Sequence, residues 1–229
     1  MTSRYLNLDG TINLRELGGY RIHDQRETKW GVLLRSGNLY QVPPASQQAL
    51  IDYGVNTIID LRDKREQVAS PNVLAERITY YHLPLMGDED DGLRQRMENA
   101  PDLSSIYILA LEHRKPQIRR IIEQIANKPS GCAIIHCVSG KDRTGQIAAL
   151  VLGAVGVEEE TIIEDYALTE KYLKRQQQAG NQRDMSARAQ NMRNMIAYLK
   201  TNYGGMTGYL QAIGISDQTL QLLRENVLK

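Results

Sequence analysis

The chain has 229 residues and a formal net charge of +1, with 41% hydrophobic and 24% charged residues. These values exclude a strongly basic nucleic-acid binder and an acidic disordered tail. A chain of this length can bury roughly 70–75% of its unfolded surface, so it can hold a core without disulfides or metals, and one domain over residues 1–229 is expected.

The segment NLRELGGY (13–20) ends in a Gly-Gly turn. Two short apolar stretches, at 20–22 and 29–34, flank the polar HDQRE and read as a hairpin. After Pro43-Pro44, residues 45–53 read as a helix, with Ser46 as an alternative cap and Gly54 as the stop. VNTIID (55–60) reads as a buried strand that ends at Asp60-Leu61-Arg62. RITYYHL (77–83) reads as the next strand, ended by Pro84, and MGDEDDG (86–92) as an acidic loop. Residues 93–99 and 103–112 read as helices on either side of Pro101, and Pro116 suits the first turn of another. Ile118, Ile121, Ile122 and Ile125 follow at helical spacing. A turn at 128–131 leads into an apolar run, 132–135, then HCVSGKDRTG (136–145), then a helix-like run at 144–154. Beyond it come a helix at 158–178 with acidic residues in its first turn, ended by Gly180-Asn181, and a second at 186–201, stopped by Gly204-Gly205. Two short helices surround Gly214-Ile215, with Ser216 capping the latter. Strands alternating with helices, then helices alone, predict an α/β fold: a mainly parallel central sheet flanked by helices, with a helical C-terminal third.

Cys132 and Cys137 lie five apart on an expected strand. At about 3.3 Å per residue their Cα atoms are about 16 Å apart, beyond the roughly 7 Å limit for a disulfide. Two free thiols fit a reducing compartment. The N-terminus lacks the apolar core of a secretory signal, so the cytoplasm is the default expectation, and a mature secreted form would look the same. No run approaches 18 apolar residues, so stable membrane insertion is not expected. His23, His82 and His113 have no ligand spacing, so neither a metal site nor a cofactor is expected. Arg183, Arg188 and Arg193 recur at five-residue steps and read as a solvated face. Tyrosine occurs 12 times and phenylalanine not at all, a bias with no functional reading.

The stretch 136–145 carries the chemistry. A strand, a glycine-containing loop and a helix start together present backbone N–H groups and a helix dipole to an anion. Gly140 permits a left-handed backbone, and Arg143 supplies a planar fork for two phosphate oxygens. Cys137 at the mouth is favoured as a thiolate and is placed as an in-line nucleophile for phosphorus. An aspartate is then needed to protonate the leaving oxygen and deprotonate water. Asp142 in the loop and Asp88 in the acidic 88–91 segment are the two candidates. Thr144 is placed to hydrogen-bond the sulfur, and His136 to fix the loop. Asp60 and Arg62 either border the site or act structurally, Asp60 as a turn residue and Arg62 paired with Glu66. Residues 93–112 either form a lid or pack into the core. Cys132 reads as a buried apolar residue. The loop is not a Walker A motif, because Asp142 follows Gly140-Lys141 where Ser/Thr is required.

HC-x-x-GKDRTG, with NLRELGG upstream and DLR between them, resembles the bacterial tyrosine/dual-specificity phosphatases that work through a cysteine, including the secreted mycobacterial and listerial enzymes. The resemblance implies Cys137 as nucleophile, Arg143 as phosphate clamp and Asp142 as general acid. It implies a substrate cradle from Val138, Ser139, Gly140, Lys141, Thr144 and Gly145, bordered by Asp60 and Arg62. The Trp-Pro-Asp loop of eukaryotic tyrosine phosphatases is missing, since the single tryptophan is Trp30. The implied substrates are phosphotyrosine proteins and other phosphomonoesters. GKDR also resembles the loop of phosphoinositide phosphatases, and Lys141 extends the range toward phosphoinositides. The alternatives are phosphoinositides as the main substrate, rhodanese-like sulfur transfer, or an inactive phosphate-binding module. The oligomeric state is not legible.

Overall fold

The structure is a computed structural model that describes residues 4–87, 91–176 and 187–229. Its strands are β1 (Arg15–Glu16), β2 (Leu33–Ser36), β3 (Val55–Asp60), β4 (Thr79–His82) and β5 (Cys132–His136). They form one sheet in the order β1-β2-β5-β3-β4, antiparallel between β1 and β2 and parallel elsewhere. The helices are α1 (Pro44–Asp52), α2 (Lys64–Ala69), α3 (Asp91–Glu98), α4 (Leu103–His113), α5 (Lys115–Ala126), α6 (Asp142–Ala154), α7 (Glu159–Gln176), α8 (Ala189–Tyr203), α9 (Met206–Ala212) and α10 (Asp217–Val227). The expected α/β layout with a helical C-terminal third is what forms.

Alternate residues of a strand face opposite sides of a sheet, and both sides here are covered. Cys132 and Ile134 of β5 join Leu34, Val55 and Ile58 in one core, closed by Leu50 of α1. Ala133, Ile135 and Cys137 join Leu33 and Ile59 in a larger core. That core holds the expected stripe of Ile118, Ile121, Ile122 and Ile125 and nearly the whole circumference of α6. A helix apolar all round belongs at the centre of its layer, and α6 has α5, α7, α9 and α10 as neighbours.

Two local expectations are corrected, and one helix is added. The antiparallel pair of the sheet is Arg15↔Arg35 and Glu16↔Leu34; residues 20–22 do turn back, but on 26–28 and not on 29–34, through the Arg21↔Glu27 bridge and the bonds from Ile22 N–H to Arg26 O and from Thr28 N–H to Tyr20 O. The turn at Gly19 (φ +73°) diverts the chain, and the Trp30 ring fills the place of a Cβ there. The helix after the loop starts at Asp142, two residues earlier than the expected Thr144. α2 was not anticipated: it is six residues long and buries no side chain. Its one local signal is the Asp63-x-x-Glu66 capping box, which forms. The expected helix ends at 178 and 180–181 lie outside the described residues, as do Ser186 and Arg183.

Candidate active site

Strand register assembles the site. Ser36 and Asp60 each pair with His136, and His82 pairs with Asp60, so four parallel strands end on one line. The loops that leave this edge form the crevice where open α/β sheets bind ligands.

Residues 137–141 run from β5 to α6, and three successive carbonyls of this loop are tied down from the β1–β2 side. Val138 O accepts from Asn38 N–H at 2.8 Å. Asn13 Nδ2 donates to Ser139 O at 3.2 Å and to Gly140 O at 3.1 Å. Arg35 Nη2 donates to Gly140 O at 2.8 Å. In a planar trans peptide the following N–H points the opposite way, so the N–H groups of 139–141 face away from these anchors, as an anion nest requires. Gly140 has φ +69°, and a Cβ there would lie 2.6 Å from the Ser36 carbonyl. The first-turn N–H groups of α6 add their unsatisfied donors at the same place.

The anchors are themselves anchored. Asp165 of α7 takes Arg15 Nε on Oδ1 at 3.0 Å and Arg35 Nη1 on Oδ2 at 2.5 Å, with the Tyr20 hydroxyl on Oδ1 at 2.9 Å. Arg15 also reaches Asn13 Oδ1 at 2.5 Å and Thr169 Oγ1 at 3.1 Å. Burial alone would raise the Asp165 pKa, but the two arginines hold it down at about 2. The NLRELGG segment is thus the back wall of the loop.

Cys137 follows β5 directly, is 2% exposed and carries a free thiol. Arg143 lies in the first turn of α6, and Glu66 of α2 holds it with two bonds, Nη1 to Oε2 at 2.5 Å and Nη2 to Oε1 at 2.8 Å. The remaining three of its five N–H donors are left for a ligand. Burial works against the Arg143 charge; the Glu66 bonds and the Cys137 and Asp142 charges outweigh it and raise its pKa. Glu66 Oε2 also accepts from Asp63 N–H at 2.9 Å, so the capping box of α2 aims the carboxylate at Arg143.

Asp142 is 36% exposed at its side chain and stands at the mouth, on the helix rather than in the loop. Its Oδ1 accepts from the Tyr107 hydroxyl of α4 at 2.6 Å and lies 3.9 Å from Lys141 Nζ. Tyr107, Ala110 and Leu111 are buried, so α4 packs as core and borders the site through one hydroxyl. Asp88 lies outside the described residues. The expected bond from Thr144 to the sulfur does not form; Thr144 Oγ1 is buried without a partner.

Asp60 and Arg62 are fully buried beside the loop. Arg62 pairs with Asp60, Nη2 to Oδ2 at 2.6 Å, and not with Glu66. It also donates to Asn38 Oδ1 at 2.9 Å, and Asn38 holds Val138 O. They brace the cradle, and neither is exposed in it. His136 Nε2 faces Asn72 Nδ2 at 3.2 Å, and Asn72 Oδ1 accepts from Leu74 N–H, so this nitrogen is the acceptor. His136 Nδ1 therefore donates to Cys137 O, and burial, the largest influence, lowers its pKa and keeps the ring neutral.

A thiol, an anion nest, a fixed guanidinium and a carboxyl group thus share one crevice, which suits displacement at phosphorus. The sequence reading missed Glu66, Arg35, Asp165 and Tyr107. Only Glu66 had a local signal, the capping box.

A profile of the tyrosine phosphatase family matches residues 6–229. A tyrosine-protein phosphatase of Nostoc commune is 35% identical over 83% of this chain and 72% of that protein. The triple specificity protein phosphatase PtpB of Mycobacterium tuberculosis is 27% identical over 67% of this chain and 68% of that protein. The crystal structure of TpbA from P. aeruginosa superposes with a TM-score of 0.47 at 17% identity, covering 89% of this chain and 92% of that one. With nearly its whole length matched, the chain belongs to the tyrosine phosphatase family.

Proposed function

We infer that the chain hydrolyses phosphotyrosine in proteins through a phosphocysteine intermediate on Cys137. The observation that carries this reading is the turning of three successive loop carbonyls away from the cradle, beside a thiol and a clamped Arg143. The phosphoryl oxygens sit against the loop N–H groups and the free face of Arg143. The Cys137 thiolate attacks phosphorus as Asp142 protonates the leaving oxygen. Water then attacks the phosphocysteine, Asp142 takes its proton, and phosphate leaves. No step needs a metal.

The site also suits more highly charged esters. Lys141 is buried next to the cradle, and it extends the proposed range to phosphoserine, phosphothreonine and phosphoinositides. The name of the mycobacterial relative supports a range wider than phosphotyrosine.

Orthovanadate-sensitive hydrolysis of an aryl phosphate tests the reading. Cys137→Ser should abolish turnover, and the protein should still bind a phosphotyrosine peptide. Undiminished hydrolysis by that variant overturns the mechanism. Initial rates on phosphopeptides and phosphoinositides then rank the substrates.

A further inference from the structure

Asp142 is gripped on one side only. Its Oδ1 receives the Tyr107 hydroxyl at 2.6 Å, while among the described residues Oδ2 has no hydrogen-bond partner. The same Tyr107 hydroxyl lies 2.7 Å from the hydroxyl of Tyr166 on α7, with the two rings edge to face at 84°. Each hydroxyl has one proton. With the Tyr107 proton directed at Asp142, the bond between the tyrosines takes its proton from Tyr166. The three groups form a one-way chain, Tyr166 to Tyr107 to Asp142. Both rings are buried, so neither swings to solvent.

The chemistry of the chain suits a group that must change its charge. A lysine or arginine in place of Tyr107 would hold Asp142 ionised. A tyrosine hydroxyl can donate to Oδ1 whether or not a proton sits on Oδ2, because the second oxygen of a protonated carboxyl still accepts. Burial in the first place, and then the Asp142 charge, push the Tyr107 pKa far up, so Tyr107 keeps its own proton throughout.

We propose that Tyr107, backed by Tyr166, is a positioning residue for proton transfer: it fixes the Asp142 carboxyl by Oδ1 and leaves Oδ2 to carry the proton to and from the reacting phosphoester. This rests on the reading of Asp142 as the proton donor. In the first step the sulfur–phosphorus bond forms and the phosphorus–oxygen bond breaks. The ester oxygen keeps that electron pair and takes the proton from Oδ2. In the second step water adds to phosphorus, its proton passes to Oδ2, and the sulfur leaves as thiolate.

The test is the dependence of kcat/KM on leaving-group acidity across a series of aryl phosphates, for the wild type, Asp142→Asn and Tyr107→Phe. Acidic phenols leave without help, and weakly acidic ones need the proton. The wild type should be nearly flat. Asp142→Asn should lose about 10²–10⁴-fold more on the least acidic phenol than on the most acidic, the span of a general acid. Tyr107→Phe should show the same tilt at about tenfold, the size expected for one hydrogen bond to a carboxylate. A variant that is merely less well folded loses the same factor on every substrate. A uniform loss or no loss for Tyr107→Phe, with a tilt for Asp142→Asn, overturns the inference and leaves the acid in place. No tilt for Asp142→Asn removes Asp142 as the acid, and the role of Tyr107 falls with it.

Discussion

Glu66 does two jobs with one carboxylate. Oε2 accepts the Asp63 N–H that starts α2, and both oxygens hold Arg143. Glu66→Gln keeps the shape and removes the charge, and the amide nitrogen would face a guanidinium that can only donate. Arg143 should then lose its fixed orientation. Steady-state kinetics should show kcat/KM on an aryl phosphate down by about ten- to a hundredfold, the loss of one to two charge-assisted bonds. Unchanged kinetics would separate the ion pair from the function of Arg143. The sequence reading passed over the capping box and suggested Arg62 as the partner of Glu66, because i, i+4 spacing is visible and a contact across 77 residues is not. Cys137, Arg143 and Asp142 could be read together because they lie within one short stretch of sequence, at the end of β5 and the start of α6.

At the scale of elements, legibility followed length and periodicity. β3 was read at its observed limits, since a β-branched run of six residues has few other uses. β1 has two residues and α2 buries none, so neither leaves a periodic trace. The contribution of α7 was illegible for another reason: Asp165 meets Arg15 and Arg35 at separations of 150 and 130 residues. That contact is also costly to break. Asp165→Ala would strand two buried guanidinium groups, and removing one partner of a buried ion network costs about 3–5 kcal/mol. Chemical denaturation should show a loss of that size. Activity should fall as well, because Arg35 holds the Gly140 carbonyl. A loss under 1 kcal/mol would show that Arg15 and Arg35 find other acceptors.

Across the whole molecule, the absence of phenylalanine acquires a physical account. The buried rings of Tyr20, Tyr107, Tyr166 and Tyr209 each spend a hydroxyl on a specific partner, so the core is tied by hydrogen bonds as well as filled. The same interior makes stability depend on pH. Burial would raise the Asp60 pKa, but the bonds from Arg62 and Tyr80 hold it below its ordinary value, as the arginines hold Asp165 at about 2. A carboxyl with a depressed folded pKa contributes fully above its unfolded value of about 3.9, and the contribution is lost as pH falls through the folded value, about 2–3 kcal/mol for Asp165. His136 must stay neutral, so its contribution fades as pH falls below the unfolded value of about 6.5. Urea midpoints should decline gently below pH 6.5 and steeply from pH 4 to pH 2. A flat profile from pH 4 to pH 2 would contradict the buried carboxylate pairs.

Asp165 and Tyr166 are consecutive on α7, so their side chains leave the helix axis about 100° apart. One secures the loop through Arg35, the other the carboxyl of Asp142 through Tyr107. The cradle and the proton donor are therefore referred to a single rigid body. A substitution that displaced α7 would disturb the cradle and the proton donor at once.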